Sequence, residues 1–338
     1  MWRIASSGLL LVLGGAMLLA GCSERQSTLH PAGPQAQRLD ELWWLFFWVC
    51  TVVFILVIGV LWLAMRRSPA GEDKTSAPTD VNRRMTWVIT GSILATAVIL
   101  FVFLIASVMA DRDLASLQSA DPVEISVTGH RWWWDVRYES PEPSRMVRTA
   151  NEIHIPVGRP VRIKLTSLDV IHSFWVPNLH GKKDLTPGRE AELWLQADRE
   201  GVFEGQCAEY CGLQHARMRF LVIAQTPEKF EEWLEHQRQS GRAPQTESEK
   251  RGQEVFLSNT CVLCHAVRGT PAMATVAPDL THIGSRRTLG ANIIPNTRGH
   301  LGGWIVDPQQ IKPGNLMPPN SIDSEDLHAL LDYLMSLK

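Results

Sequence analysis

The hydrophobic pattern of the chain changes period three times. An opening apolar run, "MWRIASSGLLLVLGGAMLLAGC", carries one arginine before its apolar core. That shape predicts an export signal over residues 1–21. Two longer stretches follow with no charged residue, "LWWLFFWVCTVVFILVIGVLWLAM" at 42–65 and "WVITGSILATAVILFVFLIASVMA" at 87–110. A helix crossing a hydrocarbon core of roughly 30 Å needs about 20 such residues, so each is a predicted membrane span. Trp43, Trp44 and Trp62 fall where interfacial anchors belong. Between the spans lie Arg66, Arg67, Lys74, Arg83 and Arg84. A basic loop of this kind belongs on the cytoplasmic side. The chain after about residue 111 is then expected outside the cytoplasm of a bacterial cell, anchored as a multi-pass protein of the cytoplasmic membrane. Cys50 reads as a small apolar residue of the first span.

From residue 121 to 225 the pattern turns to short alternating runs. "VEISVTGHRWWWDVRY", "EIHIPVGRPVRIKLTS", "REAELWLQA" and "MRFLVIAQ" are rich in Val, Ile, Trp and Tyr and are punctuated by Gly and Pro. They predict a β-sandwich or barrel over 120–238. Alternation requires at least one of Trp132, Trp133 and Trp134 to face inward. "TPEKFEEWLEHQR" then opens a helix with Thr226 as N-cap and Pro227 in the first turn. "RQSGRAPQTESE" is polar and rich in breakers, which predicts a flexible linker at 239–248. The last stretch, 249–338, has a helix at each end. Its final helix places Leu327, Leu330, Leu331 and Leu334 on one stripe.

Composition adds little until the cysteines are placed. The formal net charge is -2, from 33 basic and 35 acidic residues, which gives no basic footprint for nucleic acid. Six cysteines are present. Four of them form two close pairs, Cys207/Cys211 and Cys261/Cys264, unlike the scattered framework of a small secreted protein. The Leu-Ala-Gly before Cys22 resembles a bacterial lipoprotein processing site, which implies a lipidated Cys22 as the mature first residue.

"GQCAEYCGLQHARM" sets Cys207, Cys211, His215 and Met218 at intervals of four, four and three. Two thiolates and an imidazole suit zinc or copper. The thioether favours copper, because a soft, weak axial ligand is typical of electron-transfer sites. A further imidazole comes from "SLDVIHSFWVPNLHG", which offers His172 and His180. The aromatics beside His172 would shield a buried site. Two thiolates shared by two copper ions, with one imidazole each, would use every group. In the last domain, "CVLCH" is the attachment signal for c-type heme: Cys261 and Cys264 form thioethers and His265 reaches the iron.

"DVIHSFWVP" followed by "GQCAEYCGLQHARM" resembles subunit II of the heme–copper cytochrome c oxidases. Two spans ahead of a cupredoxin-like domain match that family as well. The resemblance covers roughly 39–238. It implies a dinuclear CuA centre with bridging Cys207 and Cys211, His172 and His215 on one copper each, and Met218 and the backbone carbonyl of Glu209 as further ligands. It also implies that the Glu209 side chain reaches a magnesium or manganese ion shared with subunit I, and that Asp169 lies near where electrons leave. "GHRWWWDVRY" resembles the family's aromatic patch, which makes Trp132 the residue through which electrons arrive from cytochrome c. Arg131 stands where the family usually has glutamine. Arg84 lies near the place of a family glutamate that serves proton uptake ahead of Trp87.

Residues 249–338 resemble a class I cytochrome c. "IKPGNLMPP" matches its methionine loop, with Met317 as the sixth iron ligand, ahead of Met273, His282 and His300, the two histidines reading as surface or heme-propionate contacts. Pro278 matches the proline that orients the proximal histidine. The whole resembles an oxidase subunit II fused to cytochrome c. The resemblance implies partners in subunits I and III and a cytochrome c donor, and it leaves oxygen reduction to another subunit. Two other readings compete. A nitrous oxide reductase would need more histidines than the 11 present. A zinc-stabilised, membrane-anchored electron shuttle would share the same cysteines.

Overall fold

The computed structural model describes residues 24–66, 79–116 and 121–338. The signal segment, Cys22 and the centre of the basic loop lie outside the described residues. The chain divides into two compact units, one formed by residues 37–117 and the other by the remainder.

The smaller unit is a helical hairpin. Helix α1 spans Pro34–Arg66 and α2 spans Thr79–Ser116. Helix α1 outruns its predicted span by two turns at the N-terminal end and by one residue at the other, and α2 outruns its span by more than a turn at each end. Phe46 stacks near Phe103 with ring centroids 4.1 Å apart, and Arg38 Nε lies 3.6 Å from Asp113, so the helices pair near one end. Most apolar side chains of the hairpin point outward, among them Phe54, Leu56, Val60, Leu94 and Phe101. Water would not tolerate so continuous an apolar face. A bilayer does, because helices satisfy their own backbone hydrogen bonds. Together the two spans make this a membrane-anchored protein.

The larger unit begins with a sandwich of two five-stranded sheets, ordered β3-β2-β1-β5-β8 and β4-β10-β9-β6-β7. The strands are β1 Val123–His130, β2 Trp133–Tyr138, β3 Val147–Ala150, β4 Glu152–Pro156, β5 Val161–Ser167, β6 His172–Trp175, β7 Lys183–Leu185, β8 Ala191–Leu195, β9 Gly201–Cys207 and β10 Arg219–Gln225. Strict alternation in β1 and β5 buries Ile125, Val127, Ile163 and Leu165 between the sheets. The cupredoxin-like expectation holds, with one refinement. "VEISVTGHRWWWDVRY" is a hairpin and not a single strand, since His130 pairs directly with Trp133. The turn at Arg131–Trp132 resets the alternation, so Trp132 and Trp134 are both buried. Residues 27–35 lie along this domain: Ala32 N–H donates to the Asn178 carbonyl at 2.7 Å. Helix α3, Pro227–Arg238, buries Phe230 and Leu234 against the sandwich under the expected Thr226 cap.

The last domain is mainly helical: α4 Glu247–Ser258, α5 Arg298–Val306, α6 Pro308–Ile311 and α7 Ser324–Ser336, with a short ribbon of β11 Thr288–Leu289 and β12 Ile294–Pro295. Helix α4 starts two residues before the expected boundary at 249. Thr246 accepts the Glu249 N–H at 3.1 Å, and Glu249 accepts from the Gln245 N–H, a variant of the capping box. The linker is tied down along its length. Gly241 N–H donates to the Arg268 carbonyl at 2.9 Å, and the Arg268 guanidinium donates to the carbonyls of Gln237 and Arg238 that end α3.

Helices α4 and α7 cross at Gly252. A Cβ there would stand 2.0 Å from the Ala329 carbonyl oxygen and 2.8 Å from the Tyr333 Cβ. Alanine gains about 1 kcal/mol in helix propensity, but overpacking costs about 1–3 kcal/mol, and a backbone carbonyl has no rotamer to turn away. Gly252→Ala is therefore expected to destabilise the last domain, read as a lower denaturant midpoint. An unchanged or higher midpoint would show that the helices can part at no cost.

Candidate metal and heme sites

The four-residue spacing of "CAEYC" does not form a helix. Cys207 ends β9, the chain turns through Glu209 and Gly212, and His215–Arg217 makes one 3-10 turn before β10. Strand β6 pairs with β9 through Phe174 and Cys207, which sets His172 at the same end of the sheet. A Cβ on Gly129 would stand 2.7 Å from the His172 ring, so the glycine makes room for the imidazole.

The thiols of Cys207 and Cys211 lie 3.8 Å apart and are not a disulfide. Two sulfurs about 2.3 Å from one tetrahedral metal would stand at about this separation. His172, Cys207 and Cys211 are all buried and offer ligand atoms within 4.8 Å of one another. His172 Nδ1 faces the Cys207 sulfur at 3.9 Å, whereas His215 Nδ1 faces the Cys211 sulfur at 3.6 Å. One imidazole thus stands by each thiol. The Met218 sulfur is fully buried 3.8 Å from Cys211, and the Glu209 carbonyl lies 3.2 Å from the Cys207 sulfur. The Glu209 carboxylate points to Lys182, 3.9 Å away. His180 does not join the cluster.

Asp169 holds His172 in place. Its carboxylate accepts from His172 Nε2 at 2.7 Å, from the Val170 N–H at 2.7 Å and from the Arg131 N–H at 2.6 Å. Burial alone would raise this carboxyl, but these hydrogen bonds outweigh it and hold it below the usual carboxylate range. An Nε2–H committed to Asp169 leaves the Nδ1 lone pair free toward Cys207, the arrangement that orients metal-bound histidines. Between the thiols, the hydrogen bond they share draws Cys207 down to about 4 despite its burial, and Cys211 is raised in turn.

A cavity of about 400 Å³ lies mainly in the last domain, where it meets the sandwich. Cys261, Cys264 and His265 line one part of it and Met317 another, with Phe256, Leu301 and Leu330 among its apolar walls. His265 Nδ1 donates to the Pro278 carbonyl at 2.7 Å, so Nε2 is the nitrogen left for a ligand. The cavity's apolar walls, paired thiols, imidazole and thioether suit a c-type heme in donor set and in size. Met273 is two-thirds exposed, and His300 is an exposed residue bonded to Thr297. His282 departs from its surface reading. It is buried, with its ring nitrogens 3.0 and 3.2 Å from the carbonyls of Lys338 and Gln239. None of the three lines the cavity.

Trp132, expected as the residue of electron entry, is packed beneath the loop that carries Met317. It is 9% exposed, with Gly314 of the Met317 loop over its ring. The indole lines the heme cavity, and its Nε1–H donates to the Cys211 carbonyl at 2.9 Å. Arg131, Trp133 and Asn151 of the sandwich also line that cavity. The sequence reading missed the groups that join the domains. Glu152 accepts the N–H of Arg287 at 2.7 Å and of Thr288 at 3.1 Å, and Lys312 is 2% exposed at the junction. Burial pushes the Lys312 ammonium down to about 7. Both stood inside or beside noted motifs, but no spacing rule marks a lysine as buried.

Residues 123–225 match the family described as cytochrome C oxidase subunit II, periplasmic domain, and residues 249–338 match cytochrome c. Cytochrome c oxidase subunit 2 of Alkalihalophilus pseudofirmus is 36% identical, covering 100% of this chain and 98% of that protein. Its counterpart in Bacillus subtilis is 30% identical over 100% of this chain and 98% of that protein. The crystal structure of the periplasmic domain of subunit II of cytochrome oxidase from Bradyrhizobium japonicum is 32% identical, with a TM-score of 0.33, over 35% of this chain and 94% of that one. With two spans, a cupredoxin-like sandwich and a fused cytochrome c domain, the chain belongs to the cytochrome c oxidase subunit II family.

Proposed function

We propose that this chain is the electron-accepting subunit of a terminal respiratory oxidase, anchored by two spans and a lipid on Cys22, with both outer domains on the periplasmic side. It takes electrons from a cytochrome c or an equivalent donor. It delivers them to subunit I, where oxygen is reduced to water with proton translocation; subunit III is a further partner. Cys207 and Cys211 would bridge the copper pair, His172 and His215 would bind one copper each, and Met218 and the Glu209 carbonyl would complete the set. Cys261 and Cys264 would attach the heme between His265 and Met317. Bound there, the CuA pair and the heme supply one-electron carriers.

Two features favour a copper pair over one zinc ion. The imidazoles approach different thiols, so each of two ions would have its own nitrogen. A single tetrahedral zinc would also leave the buried Met218 sulfur without a role. The Glu209 carboxylate, half-exposed beside Lys182, is the group offered to a magnesium or manganese ion shared with subunit I. Asp169 fixes the His172 tautomer, and the sandwich keeps water from the thiols.

The observation that carries the reading is Trp132. One indole touches the heme cavity with its ring and the Cys211 carbonyl with its N–H. In the intact chain a soluble donor is therefore met at the cytochrome domain, because that domain covers the tryptophan.

Metal analysis of the purified chain tests the proposal. Copper with covalent heme iron is expected, together with an electron paramagnetic spectrum of a copper pair sharing one unpaired electron. Stoichiometric zinc with little copper would establish the shuttle instead. Asp169→Asn keeps the shape but loses the carboxylate that orients His172. Copper retention should weaken by about 10–100-fold, measured by chelator competition. Met317→Ala should leave the heme attached through its two thioethers, lower its potential and remove the weak methionine–iron absorption band. An unchanged spectrum would assign the sixth ligand elsewhere.

A further inference from the structure

We propose that Lys312 is a positioning residue that locks the Met317 loop onto the copper-ligand loop and so holds the heme cavity against Trp132. The proposal rests on the two-carrier reading above and adds a residue to it. Lys312 Nζ donates to the Trp132 carbonyl at 2.7 Å, the Arg217 carbonyl at 2.8 Å and the Gly290 carbonyl at 2.8 Å. An ammonium has three N–H donors, and here each meets an acceptor. Trp132 and Arg217 belong to the sandwich, whereas Gly290 and Lys312 belong to the cytochrome domain. Buried charge is costly unless every donor is satisfied, so such a lysine persists only where the acceptors stay in place.

The surrounding contacts point the same way. Gln214 Nε2 donates to the Pro313 carbonyl at 2.8 Å, and the Arg217 guanidinium donates to the Ile311 carbonyl at 2.7 Å. Both donors come from the loop that carries His215 and Met218. Both acceptors come from the loop that carries Met317. Two candidate ligand loops on different domains are thus stapled to each other, and Lys312 is the fully enclosed member of the staple. Its carbonyl partner Trp132 is the residue between the two sites.

The test compares wild type, Lys312→Met and Lys312→Gln in the purified oxidase complex. Methionine keeps the apolar stem and removes all three donors. Glutamine keeps an amide with two donors. Amide hydrogen exchange is followed in segments 129–134 and 311–318, with α4 and α7 as internal controls. Heme-to-copper electron transfer is timed in the same samples after rapid reduction. Lys312→Met is expected to raise exchange in both segments by about tenfold or more, leave the controls unchanged and slow transfer by about tenfold or more. Lys312→Gln should fall between, and it decides the question if the methionine variant fails to assemble. Exchange within about twofold of wild type in both segments overturns the lock. Equal loosening of α4 and α7 overturns it too, since that marks a general packing role. Loosened segments with unchanged transfer overturn the positioning role. A wild-type complex without copper or heme signals would fail the two-carrier reading, yet the exchange comparison would still decide whether Lys312 holds the loops.

Discussion

The structure turns on one packed indole. Trp132 is enclosed because the loop that follows α6 in the cytochrome domain lies over it, and its N–H is satisfied only by the Cys211 carbonyl. Displacing that loop would open the heme cavity, expose the ring and strip Lys312 of its acceptors together. A polar network shared across an interface is costly when half-satisfied and specific when complete. Lys312, Glu152 and the Arg148 guanidinium, which donates to the Thr275 carbonyl at 2.9 Å, all complete their hydrogen bonds across this boundary. The two domains therefore have one favoured docking.

That docking has a chemical purpose within the proposed function. Electron transfer favours sites whose ligands need not rearrange, and three of the candidate ligands here are held by something other than a metal. His172 is pinned by Asp169, His265 by the Pro278 carbonyl, and Met218 by full burial. Hydrogen bonds to the far side of a ligating imidazole fix its tautomer and aim before any ion arrives. The described residues of the hairpin carry outward apolar side chains that suit anchorage, and the candidate ligands all lie in the larger unit.

Much of this was legible in the sequence, and the gaps have physical causes. The spans, the sandwich and the helical tail follow from periodicities of hydrophobicity that survive folding unchanged. The local side-chain cluster was legible too, since Cys207, Cys211, His215 and Met218 lie within a dozen residues, and His172, which joins them in space, was marked by residue type and aromatic neighbours. Contacts across the domain boundary were not. The breaker-rich composition of 239–248 indicates a chain able to bend. Whether it is tied down depends on Arg268, which is distant in sequence and reaches the carbonyls at the end of α3. Alternation placed at least one tryptophan of "WWW" inward, but not the turn that buries both Trp132 and Trp134. Lys312 looks like any surface lysine until three carbonyls from two domains close around it.

In the proposed function one chain holds both carriers with Trp132 between them. Rapid photoreduction of the heme in the intact anaerobic chain tests it most directly, with the heme and copper absorption bands followed together. Heme reoxidation and copper reduction are expected to share one concentration-independent rate, and Trp132→Ala is expected to slow this rate while both sites keep their resting spectra. A heme that stays reduced until an added mediator oxidises it, or a rate indifferent to Trp132, would show that Trp132 does not link the two sites.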